Sequence, residues 1–277
     1  MKLKKLLVLD FMQEFQSLLV TDFEHKLFIA SLRNYASHGN PLRFHNFAFS
    51  MRELVLHVIN RKAPPGNVVK ASWYQRESED HPVTRRQQIK YIAQTNLSDA
   101  YLGNDVIEDM NEYSKEFLAE FRFFNRYTHI TEKYFETCPQ TFFENVKLVV
   151  KIANDSLRSI YGIEQLIADA LTDKVRDSVI RTAINSIPDN LSILANHVYV
   201  DFTEVEEIEL TGKDDTFLYV TARGTIHVVQ EYGPKDDLCE MNVDYPFSLA
   251  MKSCLEDPER FEVIGEELDI DTSSWYE

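Results

Sequence analysis

Apolar side chains recur every three or four residues through the first 195 positions of the chain, and this spacing predicts a helical region. Residues 3–37 predict two helices or one long bent helix. Gly39-Asn40-Pro41 then interrupts the pattern and places a proline at the first position of a new helix, expected from about Pro41 to Arg61. The spacing also predicts a strong helix over Asp105–Thr128.

The segment between these helices is less regular. Residues 67–83 predict irregular structure or a short strand. Thr84 is suited to cap a helix that we expect to run from about Arg85 to Gln94.

In the second half of the chain, the spacing of apolar residues changes once, from a helical to a strand period. From Pro139 to about Asn196 it is helical, with breaks expected near Tyr161-Gly162 and at Ser186–Asp189. From His197 onwards apolar and polar residues alternate, as in half-buried strands. Turn-forming segments separate the strands at residues 211–215, 223–224 and 233–234. These signals predict a meander-like antiparallel sheet of about four or five strands.

The change of period predicts two domains, a helical one over residues 1–195 and a β-rich one over residues 196–277. The expected fold class is therefore α+β, a mainly helical body followed by a small antiparallel β-rich domain. Charge separates the same regions, because residues 197–277 contain 21 Asp and Glu against 5 Lys and Arg and so carry the whole net charge of −16. The helical body is neutral, so the acidic pI of about 4.9 does not exclude nucleic acid as its partner.

Cysteine usage and hydropathy indicate a cytoplasmic protein. Three widely spaced cysteines, Cys138, Cys239 and Cys254, predict neither a disulfide framework nor a zinc site. Asp10 and Glu14 interrupt the apolar N-terminal run, which is therefore not typical of a signal peptide. No window holds 18 apolar residues, so we expect no membrane partner.

The motif search favours chemistry without a metal. The sequence has no glycine-rich phosphate loop, no H-E-x-x-H, and no Asp/Glu-x-Lys after an acidic strand residue, as a metal-dependent restriction-type nuclease would show. We therefore predict no metal and no cofactor. Arg followed by His at short spacing is present instead, as in the metal-independent HEPN ribonucleases. A His can move protons between the 2′-hydroxyl and the leaving oxygen, and an Arg can donate to the phosphate as charge builds.

One candidate pair lies at a helix end. Arg33/His38 has the polar residue that HEPN sites prefer, Asn34, directly after the arginine. Its structural alternative is an interaction of His38 with the terminal carbonyls of the helix. Arg76/His81 has similar spacing but lies among acidic residues that repel phosphate, so we discount it.

Two further pairs lie on the predicted long helices. Arg52/His57 is accompanied by Glu53, which shares a helix face with His57 and can orient its imidazole. Arg122/His129 falls on one helical stripe, two turns apart. Both pairs are equally compatible with ordinary helix-surface and loop roles.

Aromatic and basic residues also lie close together in the less regular segment. Trp73 and Tyr74 can stack on bases while Arg85 and Arg86 hold phosphate. The alternative is that both aromatic residues pack in the core between helices.

The order of several segments resembles the predicted pPIWI-associating nucleases, bacterial proteins encoded near defence loci. The segments that carry the resemblance are Asn40–Leu54, Ser72-Trp73-Tyr74, Thr84-Arg85-Arg86, Tyr91, Phe124–Ile130 and Ile270–Tyr276. The similarity extends over nearly the whole chain. It implies a helical, HEPN-like first domain and a small α+β second domain. It also implies functional positions at Arg43, Arg52, Glu53, His57, Thr84, Arg85 and His129.

Together these observations predict a catalytic cleft lined by Arg52, Glu53, His57 and His129. Arg33/His38 is the alternative catalytic pair. The residues expected to bind nucleic acid are Arg43, Arg85, Arg86, Arg122, Trp73 and Tyr74.

The resulting hypothesis is a cytoplasmic HEPN-type ribonuclease that acts in bacterial antiviral defence and prefers RNA to DNA. A homodimer is expected, because a HEPN-type site usually needs two facing protomers. The main alternative is a non-enzymatic binding or sensor subunit whose acidic domain docks a basic defence-system protein. A third hypothesis is an antitoxin-like inhibitor that blocks a basic nuclease site.

Overall fold

The computed structural model describes residues 3–77, 79–132, 138–185, 191, 197–233, 239–265 and 269–272. The chain divides into two compact units, Met1–Ile167 and Ala168–Glu277. Helices form the first unit and the second contains an antiparallel sheet, so the predicted α+β class is confirmed. The domain boundary at residues 195 and 196 stays a prediction. In the described segments, no helix is long and apolar enough to cross a membrane.

The helices of the described chain follow the apolar spacing of the sequence. Their bounds are α1 Leu3–Leu6, α2 Asp10–Ser17, α3 Asp22–Ala36, α4 Arg43–Lys62, α5 Pro65–Val68, α6 Arg85–Gln94, α7 Asp99–Leu102, α8 Asn104–Thr128 and α9 Pro139–Asn185. The predicted helices that correspond to α6 and α8 are confirmed. The predicted start of α4 at Pro41 is wrong by two residues, because Asn40 forms a turn in which its Oδ1 accepts from the backbone N–H of Leu42. Residues 3–37 contain α1, α2 and α3 rather than one or two helices.

Capping boxes determine where α3 and α6 begin. At α3, Thr21 Oγ1 accepts from the backbone N–H of Glu24, and the Glu24 carboxylate accepts from the backbone N–H of Thr21. At α6, Thr84 and Gln87 make the same reciprocal pair, which confirms the predicted cap.

Helix α4 lies at the centre of the helical unit, where it contacts α3, α6 and α8. Most of its apolar side chains, including Phe44, Phe47 and Met51, are fully or almost fully buried, whereas Phe49 is half exposed. A partly buried ion pair joins it to α3, since Arg61 Nε donates to the carboxylate of the buried Glu24 over 2.7 Å. This contact links the last turn of α4 to the capping box of α3.

Helix α9 is continuous where a break was expected. The predicted break at Tyr161-Gly162 is wrong, because the helix passes through both residues. Gly162 is in contact with the Tyr113 ring, whose Cε1 lies 3.5 Å from the position of an added Cβ. An added Cβ would thus make an ordinary van der Waals contact with α8, and the glycine lies within the helix without ending it. The second expected break, at Ser186–Asp189, lies outside the described residues.

The sheet contains β1 His197–Lys213, β2 Phe217–Tyr232, β3 Cys239–Cys254, β4 Asp257–Val263 and β5 Asp269–Ile270. The order β1-β2-β3-β4 is an antiparallel meander, and β5 pairs with β3, so the predicted sheet is confirmed. Within the predicted first turn, Asp214 Oδ1 accepts from the backbone N–H groups of Thr216 and Phe217. Residues 234–238 and 273–277 lie outside the described chain. Part of the predicted turn at residues 233–234 and most of the segment Ile270–Tyr276, which contributes to the family resemblance, therefore also lie outside it.

The predicted turn at Arg223-Gly224 is wrong, because both residues lie inside the continuous strand β2. Gly224 is opposite Val205 of β1 and Phe247 of β3. A Cβ at this position would overlap the backbone carbonyl oxygen of Glu204 and lie 3.0 Å from the Phe247 ring. Glycine here permits close approach of neighbouring strands, rather than a change of direction.

This close approach predicts the effect of Gly224→Ala. The added methyl group must displace the β1 backbone, so we expect the free energy of unfolding to fall by about 3 kcal/mol. Gly66→Ala is the matched control, because no atom lies within 4 Å of an added Cβ there, and little loss is expected. Thermal and denaturant unfolding of both variants measures the difference. Equal stability of the two variants would contradict the packing argument.

Glu24 predicts a pH dependence of stability. Burial raises the pKa of Glu24, but the backbone N–H groups of Val20 and Thr21 and the Arg61 guanidinium together hold it below its ordinary value of 4.5. Its contribution to stability is therefore present above about pH 4.5 and is lost as the pH falls through the lower folded-state pKa. Glu24→Gln should be less stable than the natural chain at pH 7, and this difference should shrink in acid.

Denaturant unfolding between pH 3 and pH 7 tests this expectation. The control is Glu108→Gln, at an exposed position on α8. A stability difference for Glu24→Gln that does not change with pH would refute the assignment.

Candidate active site

The candidate residues of α4 face different neighbours. Successive helical residues are rotated by about 100°, which separates Arg52 and His57 by about 140° around the axis. The His57 ring contacts Phe23 of α3, with ring centroids 4.7 Å apart. Arg52 lies instead within the electrostatic range of Arg85 on α6. The structure therefore does not bring Arg52 and His57 together.

Arg52, Glu53 and Arg85 form one cluster between α4 and α6, called here the α4–α6 cluster. Arg52 Nη2 is 3.3 Å from Glu53 Oε1, so Glu53 pairs with Arg52 rather than with the imidazole expected from the sequence. Arg85 donates to Asn60 Oδ1 over 3.2 Å and to Gln88. Burial lowers the pKa of Arg85, Glu53 opposes this effect, and Arg52 adds to it. Two guanidinium groups beside one carboxylate leave a positive charge that suits a phosphate.

The structure does form a different Arg–His contact. Nη1 of Arg43, the first residue of α4, lies 2.9 Å from Nδ1 of His38, which is exposed after the end of α3. Arginine has no acceptor, so Nδ1 accepts this hydrogen bond and the ring N–H of the neutral imidazole lies on Nε2. A proton-transfer group and a phosphate donor therefore lie within hydrogen-bond reach at the surface.

Arg43 packs on an aromatic side chain of helix α9. The Arg43 guanidinium carbon lies 3.9 Å from the centroid of the Phe142 ring, a cation–π contact. Phe142 is buried and also contacts Tyr35 and Phe44. The aromatic cluster therefore supports the guanidinium of the half-buried Arg43 in a position beside His38.

Other predicted residues lie near this end of α4. His129 directly follows α8, whose end packs on the start of α4 through a hydrogen bond of 3.2 Å from Nδ1 of His45 to the Tyr127 carbonyl. His129 therefore lies two residues from a contact with α4. Arg122 is exposed on α8 two helical turns earlier, and Arg33 is exposed in the last turn of α3.

Trp73 and Tyr74 are held by internal hydrogen bonds. Trp73 Nε1 donates to the Thr95 carbonyl, and Tyr74 Oη donates to the Pro82 carbonyl, each over 2.5 Å. The Lys90 ammonium lies 4.9 Å from the Trp73 ring centroid, which leaves less of the ring for stacking on a base. These contacts favour the structural role of both aromatic residues.

A cavity of about 510 Å³ adjoins Trp73. Its basic lining residues are Arg76, Arg86 and Lys90, of which Arg86 was a predicted nucleic-acid contact. The acids Glu77 and Asp99 also line it, so its charge is mixed. Among the described residues, no group of three or more His, Cys, Asp or Glu is arranged to hold a metal ion.

Sequence reasoning did not pair His38 with Arg43. The HEPN pattern places the arginine before the histidine, whereas here the histidine precedes the arginine by five residues. The signal that could have indicated the contact is the short Gly39-Asn40-Pro41 turn, which brings the end of α3 back to the start of α4.

Comparison with known proteins assigns the chain to a family. Two family models, each described as a predicted pPIWI-associating nuclease, match residues 16–153 and 160–276. The chain belongs to this family. The resemblance seen in the sequence is thereby confirmed, and the family description supports a nuclease. No curated protein and no solved structure matches this chain.

Proposed function

We propose that this protein is a metal-independent, HEPN-type ribonuclease that acts in antiviral defence. The observation that carries the proposal is the 2.9 Å contact between Arg43 Nη1 and His38 Nδ1. RNA contains its own nucleophile, the 2′-hydroxyl, so a proton-transfer group and a phosphate donor are sufficient to cleave it. The catalytic role is thereby assigned to His38 and Arg43 rather than to Arg52 and His57, which face different neighbours.

The proposed reaction is an internal transesterification. As phosphate binds, Arg43 turns its Nη1 donor to a non-bridging oxygen and frees Nδ1 of His38. Nδ1 takes the proton of the 2′-hydroxyl, the 2′-oxygen attacks phosphorus, and the bond to the 5′-oxygen breaks. The leaving oxygen receives a proton from the imidazolium. The products are a 2′,3′-cyclic phosphate and a 5′-hydroxyl, and DNA is not cleaved because it has no 2′-hydroxyl.

The remaining candidates have supporting roles in this proposal. Arg33 and His129 lie at helix ends beside α4 and contact the phosphates next to the scissile one. The α4–α6 cluster binds the strand without cleaving it. The protein acts in the cytoplasm as a homodimer that combines two protomers at the site. Its acidic β-rich domain docks a basic partner of the defence system.

A non-enzymatic binding subunit is the second candidate function. The observation that favours it is that several candidate side chains already have internal partners. Arg52 pairs with Glu53, Arg85 bonds to Asn60, and Trp73 donates to a backbone carbonyl. Side chains that are engaged in this way stabilise the fold and do not require a substrate.

Cleavage of RNA in the presence of chelator tests the proposal. We expect purified protein with excess EDTA to cut single-stranded RNA and to leave 2′,3′-cyclic phosphate ends. His38→Ala and Arg43→Ala should each lower the rate by at least about 100-fold, because each removes a group that acts on the transition state. The matched control is His81→Ala, at an exposed histidine outside the site, which should keep the natural rate.

Three results would decide against this mechanism. Activity that is lost with EDTA indicates a metal-dependent nuclease. Binding of RNA without cleavage supports the binding subunit. Loss of activity in His57→Ala but not in His38→Ala would return the catalytic role to the middle of α4.

A further inference from the structure

The sheet has one buried face and one outer face. Along β2, Leu218 and Val220 are buried, and the residues next to them are partly exposed. Side chains that lie opposite each other on paired strands share a face, so the strand register identifies the outer one. Phe202 of β1, His227 of β2 and Asp244 of β3 form one row across it.

Two aromatic side chains are exposed at the end of the outer face where β1 begins. Tyr199 is 47% exposed and Phe202 is 52% exposed. The His227 ring lies against Phe202, with ring centroids 3.9 Å apart and ring planes at 21°. Nδ1 of His227 lies 2.7 Å from Oδ1 of Asp244. These contacts hold the Phe202 ring on the sheet surface while about half of the residue stays exposed.

Carboxylates surround these two aromatic side chains. Partial desolvation raises the pKa of Tyr199, and the charges of Glu240, Glu231 and Asp201 raise it further, so all three carboxylates are close to this ring. The strand segments 197–206, 225–232 and 239–246 contain six acidic residues and no Lys or Arg. The acidic aromatic patch, as it is called here, consists of Tyr199, Asp201, Phe202, Glu231, Glu240 and Asp244.

The opposite end of the same face has cations of its own. Arg223 donates to Glu207 over 3.2 Å and to Glu209 over 2.9 Å. The Lys252 ammonium lies 4.8 Å from the centroid of the Phe217 ring. One cation there pairs with carboxylates and another covers an aromatic ring. The strand segments that form the acidic aromatic patch contain the same two kinds of group, carboxylates and rings, without a Lys or Arg.

The group that matches this patch is a cation that can both stack on a ring and bind a carboxylate. A guanidinium does both, because its flat face packs on aromatic rings and its planar edge donates to two carboxylate oxygens. The net charge of −16 over residues 197–277 repels the phosphates of nucleic acid and also the same domain of a second copy. Charge complementarity therefore favours a basic protein.

We propose that the acidic aromatic patch binds an arginine-bearing segment of a basic protein, with a guanidinium over the Tyr199 or Phe202 ring and its N–H groups on the surrounding carboxylates. This inference rests on the proposed docking of a basic partner by the β-rich domain, and it adds the face and the side chains that hold that partner. It does not depend on the cleavage reaction, which is assigned to His38 and Arg43.

Fluorescence anisotropy of labelled peptides with the full chain tests the preference for arginine. The probes are two peptides of equal length and charge, one of alternating Arg and Ser and one of alternating Lys and Ser. We expect the arginine peptide to bind at least about fivefold more tightly, because lysine has no planar group to stack on the rings. Equal affinity for the two peptides, or no binding of either, overturns the proposal.

Tyr199→Ser with Phe202→Ser removes both rings and keeps every carboxylate. This double variant should weaken binding of the arginine peptide by at least about tenfold and should abolish the preference over the lysine peptide. Ile264→Ser is the matched control, because it removes an exposed apolar side chain elsewhere in the same unit. An equally large loss in the control contradicts the assigned contact with the rings.

A second double variant keeps the test valid if the first one does not fold. Glu231→Gln with Glu240→Gln keeps both rings, and it should weaken binding of the arginine peptide about tenfold. The matched control is Glu256→Gln with Glu259→Gln, which removes the same charge at exposed positions near the start of β4. Equal losses in the two double variants indicate a general attraction to the acidic domain and overturn the assigned patch.

The outcomes separate this inference from the functions proposed above. Tight binding of both peptides with equal losses in the two glutamine variants is compatible with a basic partner but removes it from the patch. RNA cleavage should stay at the natural rate in all of these variants, so its failure is scored independently. A concentration-dependent dimer that dissociates in Tyr199→Ser with Phe202→Ser would assign the patch to a second copy and overturn the proposal.

Discussion

The packing of helix α4 against α3, α6 and α8 is the constraint on which the candidate site depends. Each residue of the helix is rotated by about 100° from the one before, so these contacts place its side chains in different surroundings. His57 is directed to α3, Arg52 lies in the range of Arg85 on α6, and His45 reaches the end of α8. Residues that are close in sequence are therefore separated in space. Arg43 and His38 can meet because a short turn, rather than helix, lies between them.

The ends of α4 differ in what fixes them. At the C-terminal end, the ion pair of Arg61 with the buried Glu24 joins the last turn of α4 to the cap of α3. At the N-terminal end, the Arg43 guanidinium packs over the Phe142 ring and contacts the exposed His38. Loss of one partner from a partly buried ion pair is destabilising, so we expect Arg61 and Glu24 to stabilise the fold. A guanidinium that packs on an aromatic ring can still donate hydrogen bonds from its planar edge. This difference is the reason why we propose the chemistry at the N-terminal end.

Much of the fold was predictable because local signals and packing agree. The periods of 3.6 and 2, the cap at Thr84 and the helix over Asp105–Thr128 follow from the sequence alone. Two of the errors occur at glycine residues, which were interpreted as breaks. Helix α9 continues through Gly162, and Gly224 lies within β2 where β1 approaches it closely. The reason at Gly224 is a tertiary contact, which no local rule contains.

The candidate site was less predictable, because a motif gives spacing but not direction. The sequence suggested both Arg52/His57 and Arg33/His38, yet the contact that forms pairs His38 with Arg43 across a turn. Side-chain satisfaction is equally invisible in sequence. Glu53 was expected to orient the imidazole of His57, and only the structure shows that it pairs with Arg52 instead. The partner of a side chain therefore depends on tertiary packing, which a sequence motif does not contain.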